Sequence, residues 1–199
     1  MTESALSDHE RLLRTALRLF AELGYDQTTN RMITDATGLD PSAVTDLFGG
    51  KRDLYLSVIQ LVHDQEQALL ERMSGAYTHD RAGVHRMVDE YFDYFLDYPQ
   101  TAALWMHRRM HDASDLRHIE QFYSFPQIKA VAELTRGLFP DDVDIELIVW
   151  NIVWSVQTFV YGGVPDAHGG RLGRDDPQAV QRFRHHLHSC LDHLMLPGA

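Results

Sequence analysis

Residues 21–55 read AELGYDQTTNRMITDATGLDPSAVTDLFGGKRDLY, and the caps and glycines in this stretch cut it into short helices. Gly24 ends the helix that precedes it. Thr28 or Thr29 offers a hydroxyl to the free amides of the next helix, which is expected to carry Ile33 and Ala36 inward and to stop at Gly38. Asp40-Pro41 opens a third helix: an oxygen-bearing cap is followed by a proline whose missing amide hydrogen costs nothing at the first helical position. That helix runs about two turns to Leu47 or Phe48, and Gly49-Gly50 forces a bend before a long helix from Lys51 to Ser74. Two short helices joined by a tight, glycine-containing turn have the spacing of a helix-turn-helix, whose second helix is free to enter a major groove.

The landmarks Gly24-Tyr25, Thr28-Thr29, Ile33, Ala36, Gly38-Leu39, Val44, Phe48, Lys51, Asp53 and Leu54 together resemble the DNA-binding signature of the TetR family of transcriptional regulators. The resemblance implies an all-α chain. A helix-turn-helix domain of three helices, residues 1–53, would be followed by a helical effector-binding and dimerisation domain, residues 54–199, with about nine helices altogether. It also implies a ligand-responsive repressor that binds a palindromic operator on double-stranded DNA as a homodimer and is released by a small-molecule effector. Beyond these residues the likeness rests on helix order and length.

Most of the landmarks are structural, with Ile33, Ala36, Leu39, Val44, Leu47, Phe48 and Leu54 expected to pack the three-helix core. Lys51 stands in the first turn of its helix, where a cation opposes the helix dipole, and so suits a phosphate approaching the amides there. Arg31 is expected to reach the DNA backbone and Thr29 to give its hydroxyl or amide to the same phosphate. Base reading falls to the third helix, which is expected to expose Ser42, Ala43, Thr45 and Asp46. Here the chain departs from the family. A tyrosine is usual where Thr45 stands, a serine where Asp40 stands, and a basic or amide residue where Asp46 stands. Two carboxylates beside a phosphate backbone lower nonspecific affinity. Thr45 can set its methyl against a thymine methyl, and Asp46 either accepts from a cytosine amino group or pairs with a neighbouring arginine.

Working outward, Ser7 and Glu10 form a capping box for the first helix, which is expected to bury Leu13, Ala16, Leu17 and Phe20. The chain of 199 residues is 44% hydrophobic, enough for a core, and carries a net charge of −11. Up to Asp53 six basic residues (Arg11, Arg14, Arg18, Arg31, Lys51, Arg52) stand against nine acidic ones, and the remainder holds twelve against twenty. DNA binding therefore requires those six to gather on one surface. Met1 to Glu10 holds Glu3, Asp8 and Glu10 and reads as no secretory leader, so a cytoplasmic protein is expected. The single cysteine, Cys190, shares its helix with Leu187, Leu191 and Leu194 and reads as a small buried hydrophobe.

Apolar residues recur at three and four positions through the rest of the chain, and no strand is expected. Helices fall at 81–98, stopped by Pro99; at 101–111; at 115–139, broken or kinked by Pro126; at 143–161; and at 177–196 after a glycine-rich loop. Leu147 to Val164 runs without a formal charge, but Asn151, Ser155, Gln157, Thr158 and Gly162-Gly163 interrupt it, so it reads as a helix buried between protein surfaces. The last two helices are the expected dimerisation surface, the final one through Phe183, Leu187, Leu191 and Leu194.

An effector pocket is expected among Tyr91, Tyr94, Phe95, Trp105, Met106, Phe122, Phe125, Trp154, Gln157 and Tyr161, whose rings and polar tips suit a flat or amphipathic molecule. His107, His111 and Asp112, and likewise His185, His188 and Asp192, have helical spacings that a metal could share, but solvated histidines are the simpler reading, and no metal or cofactor is expected. No phosphate loop, nucleophile elbow or zinc-hydrolase motif points to an enzyme. The competing reading is an interaction protein that keeps the fold with weakened or lost DNA binding, motivated by Asp40, Asp46 and the net acid.

Overall fold

The structure, a computed structural model, describes residues 7–198; residues 1–6, read above for a leader, lie outside the described residues. Ten α-helical segments are present among them: α1 Asp8–Leu23, α2 Asn30–Thr37, α3 Ala43–Phe48, α4 Lys51–Gly75, α5 Arg81–Asp97, α6 Pro99–Arg109, α7 Ile119–Phe122, α8 Ser124–Thr135, α9 Ile145–Gly162 and α10 Pro177–Leu194. The four-residue α7 is a single turn, which leaves nine helices of ordinary length and an all-α fold. One correction concerns strands. The glycine-rich loop closes as a minimal antiparallel hairpin in which β1, Val164–Pro165, pairs with β2, Arg171–Leu172. Gly163 permits it, because a Cβ there would lie 2.1 Å from the Leu172 carbonyl oxygen.

Contacts gather the chain into two units. The first contains the residues up to Asp64 together with Ala103–Arg117; the second contains Gln65–Ala102 and the residues from His118 onward. This is not a cut at residue 53, because Gly49-Gly50 marks a bend in the chain, not the edge of a core. Leu54, Tyr55, Val58, Ile59 and Val62 are all fully buried, and the Tyr55 ring packs edge-on against Phe20.

In the first unit α1 packs on α2 and α2 on α3. The Ser7–Glu10 capping box forms, with the Glu10 carboxylate accepting from the Ser7 amide at 2.9 Å. Leu12 and Leu19 join Ala16, Leu17 and Phe20 in the core, while Leu13 is only half-buried. Ala36 is exposed where the sequence predicts an inward residue, and Thr34 takes the buried place; Leu47 is likewise 45% exposed. Both helices are too short for apolar spacing alone to fix the buried side, and local cap geometry decides it.

The second unit has its own core, in which α9 packs on α5 and α8, and α10 packs on α5. Phe92, Phe159 and Phe183 meet at its centre, the last two stacked 4.3 Å apart. The break in the 115–139 segment falls at Tyr123, between α7 and α8, while Pro126 lies in the first turn of α8, where its lost donor is tolerated. No described helix is long and apolar enough to cross a membrane.

Candidate nucleic-acid interface

The turn between α1 and α2 is held from two sides within the first unit. Thr29 caps α2, its side-chain oxygen accepting from the Met32 amide at 3.2 Å, and Gly38 closes the helix in the left-handed region at φ 69°. The Arg11 guanidinium donates to the Thr37 carbonyl at the same C-terminus, where a cation complements the dipole. Lys51 is more committed than a phosphate contact requires. Its ammonium donates to the carbonyls of Tyr25 (2.9 Å) and Thr28 (3.0 Å) and lies 4.2 Å from the Tyr25 ring centroid. Two of its three N–H groups therefore tie the start of α4 to the α1–α2 turn.

On the other side of that turn the Asp112 carboxylate accepts from the Tyr25 amide at 2.6 Å and from the Asp26 amide at 2.9 Å. Asp112 is presented by a loop wrapped around Arg108, which donates to the carbonyls of Asp112, Ala113 and Leu116. His111 and Ala113 take positive φ in this loop. The His107 ring reaches the Ala21 carbonyl at 3.2 Å. Neither Asp112 nor His107 is legible as part of this domain, because their partners lie 86 or more residues away.

The expected reading helix begins later than Asp40-Pro41 implies. Asp40 caps an Asx turn, its Oδ1 accepting from the Ser42 amide at 2.9 Å, and α3 starts at Ala43. The Ser42 amide, foremost, holds the Asp40 carboxyl below the usual carboxylate range. Ser42, Thr45 and Asp46 are exposed together and Ala43 is half-buried. Among the described residues no arginine forms an ion pair with Asp46. Its Oδ2 accepts from the Ser42 hydroxyl at 2.5 Å. Arg31, exposed on α2, stands 3.4 Å from Asp35 in a solvent-facing pair.

Residues 12–58 match the family described as bacterial regulatory proteins, tetR family. The match places residues 12–58 in that family's N-terminal domain. The fold agrees across almost its whole length with solved transcriptional regulators. The ketosteroid transcriptional regulator KstR2 of Mycobacterium tuberculosis superposes with a TM-score of 0.69 at 20% identity, covering 96% of each chain. PfmR, a TetR family transcriptional regulator from Thermus thermophilus, gives 0.69 at 18% identity over 98% of this chain and 100% of its own. The fatty acid degradation regulator FadR from Bacillus halodurans gives 0.67 at 16% identity over 92% and 93%. No curated protein sequence matches the chain. Residues 12–58 therefore carry a helix-turn-helix of the kind found in that family.

The residues expected to line an effector pocket are scattered. Trp105, buried, and Met106, half-buried, belong to the first unit. In the second unit Tyr94, Phe95 and Gln157 are buried and Tyr91 is half-buried against Phe95. Phe122, Phe125, Trp154 and Tyr161 are 70%, 52%, 39% and 50% exposed. Trp150 meets Phe125 edge-on and stacks on Trp154, so these rings form an outer face along α9. A shallow groove beside it is lined by Trp154, Ser155, Thr158, Phe159, Gly163 and Phe183.

The last helix also corrects the sequence reading. Phe183, Leu187 and Leu191 are buried in the second unit's own core, Leu194 is 40% exposed, and Cys190 is exposed. The α10 stripe that looks like a dimer seam is consumed within the chain, and its outer face holds Gln181, His185, His186, Cys190 and His193. Among the described residues no group of three or more His, Cys, Asp or Glu side chains stands where it could hold a metal. His188 and Asp192 of the suspected cluster turn instead to α5, at 2.8 Å from Asp89 and from both Arg81 and His85.

Proposed function

We propose that the chain is a ligand-responsive transcriptional repressor, acting in the cytoplasm, that binds a palindromic operator as a homodimer and is released by a small-molecule effector. The observation that carries this reading is the outward face of α3. It displays Ser42, Thr45 and Asp46 on a unit whose turns are fixed by Thr29, Lys51 and Asp112. Arg31, paired only at the surface, is the cation of α2 that can change partners to a phosphate. The dimer seam is the exposed stripe of α9, Leu147, Trp154 and Tyr161 with the half-buried Trp150, together with the exposed Leu194 of α10. For the effector, the interior group of Tyr91, Tyr94, Phe95 and Gln157 keeps the aromatic and polar character that suits an amphipathic molecule.

Selection of duplexes from a random pool, followed by a salt titration on the selected site, tests this function. A two-fold symmetric sequence is expected, and Arg31→Ala should reduce the slope of log affinity against log salt by about one. The second reading, a TetR-fold interaction protein with weakened DNA binding, is favoured by the exposed Asp40 and Asp46 and by the internal commitment of Lys51. A chain that enriches no sequence and shows no salt-dependent binding follows that second reading.

A further inference from the structure

The reading face of α3 has chemistry of its own. Ser42, Thr45 and Asp46 share one side of the helix by their spacing, and all three are exposed. Ser42 is fixed at its amide by Asp40, and its hydroxyl donates to Asp46 Oδ2 at 2.5 Å. This bond holds one carboxylate oxygen and leaves Oδ1 directed by it. Among the described residues no Lys, Arg or His forms an ion pair with Asp46. The group is thus oriented but not neutralised.

An ionised carboxylate only accepts hydrogen bonds, and phosphate oxygens are acceptors that carry the same charge, so Asp46 has no favourable contact with the DNA backbone. In the major groove only the amino groups of cytosine and adenine donate. Adenine sets its own acceptor N7 beside the amino group, against which a second carboxylate oxygen is repelled, whereas cytosine's own edge sets only C5–H beside its N4 amino group, the nearest acceptor being O6 of the paired guanine on the other side. We infer that Asp46, oriented by Ser42, is a specificity-determining residue that selects a cytosine in each operator half-site. The inference rests on the DNA-binding reading above. It carries a distinctive sign: the carboxylate raises affinity for one base pair and lowers affinity for DNA in general.

The test compares the wild type with Asp46→Ala, Asp46→Asn and Ser42→Ala, by selection from random duplexes and by titration on the selected site and on an unrelated duplex at low salt. In the wild type one C·G pair per half-site is expected, and its change to T·A should cost about tenfold in affinity. In Asp46→Ala that cost should fall below about threefold, while binding to the unrelated duplex strengthens. Asp46→Asn should move the preference toward adenine, and Ser42→Ala should weaken the cytosine preference without strengthening nonspecific binding. A wild-type operator whose base-by-base profile is unchanged in Asp46→Ala overturns this inference alone. So does a parallel fall of specific and nonspecific binding with a lowered melting temperature, which would make Asp46 a structural residue. A wild type that enriches no duplex overturns it together with the DNA-binding reading.

Discussion

The imidazole rings of His85 on α5 and His188 on α10 stack face to face, with centroids 4.1 Å apart and planes 2° from parallel. Each ring turns its Nε2 to a carboxylate of the opposite helix, His85 to Asp192 and His188 to Asp89, both at 2.8 Å. Arg81 and Arg184 complete the two carboxylates, and Arg184 also bonds Asp93. The result is a ladder of hydrogen bonds and ion pairs that joins α10 to α5.

Acid should loosen this ladder through Asp192. Burial pushes its carboxyl up, but the hydrogen bonds from Arg81 and His85 outweigh that and hold it below the ordinary carboxylate value. A lowered folded-state value means that its stabilisation is complete above the unfolded value of about 4 and is lost as pH falls through the folded one. Asp192→Asn should therefore melt below the wild type at pH 7, and the gap should narrow as pH falls below about 4. Thermal melts across that range check this. An equal gap at both ends would remove the charge from the account.

Lys51 should behave as a structural clamp. Lys51→Met keeps the aliphatic stem against Tyr25 and deletes the ammonium, leaving the Tyr25 and Thr28 carbonyls without that donor. A loss of about 2 kcal/mol in stability is expected from denaturant unfolding, since hydrogen bonds to a charged group are worth about 1.5 to 3 kcal/mol. An unchanged midpoint would return Lys51 to a purely phosphate-facing role.

Two apolar substitutions should separate core from seam. Leu187 is 2% exposed inside the second unit, so Leu187→Asp should lower the melting temperature by many degrees or prevent folding. Trp154 is 39% exposed on α9, so Trp154→Glu should leave the circular dichroism spectrum intact and give monomers in sedimentation. A folded Trp154→Glu dimer at low micromolar concentration would move the seam elsewhere.

The contrast between these residues shows how far the sequence can be read. Caps and breakers are local chemistry, and Ser7, Thr29, Gly38 and the Lys51 start of α4 fall where their residue types require. The direction of an apolar helix face is not local. α9 is apolar on most sides, and periodicity groups Trp154 with Tyr161 without telling whether that side meets the chain's own core or points away from it. The same ambiguity, reversed, turns the buried Leu187 stripe of α10 into an apparent seam. Spacing alone leaves Asp46 with two candidate partners, because only coordinates show which neighbours reach it, and the neighbour is Ser42.

The hold of Asp112 on the Tyr25 and Asp26 amides spans 87 and 86 residues of chain. During synthesis the first three helices leave the ribosome well before the segment that completes their unit, and closing so long a loop carries an entropic cost that local contacts do not. The first unit is therefore finished late. A nascent chain halted before Ala103 holds α1 to α3 without the brace that fixes their turn.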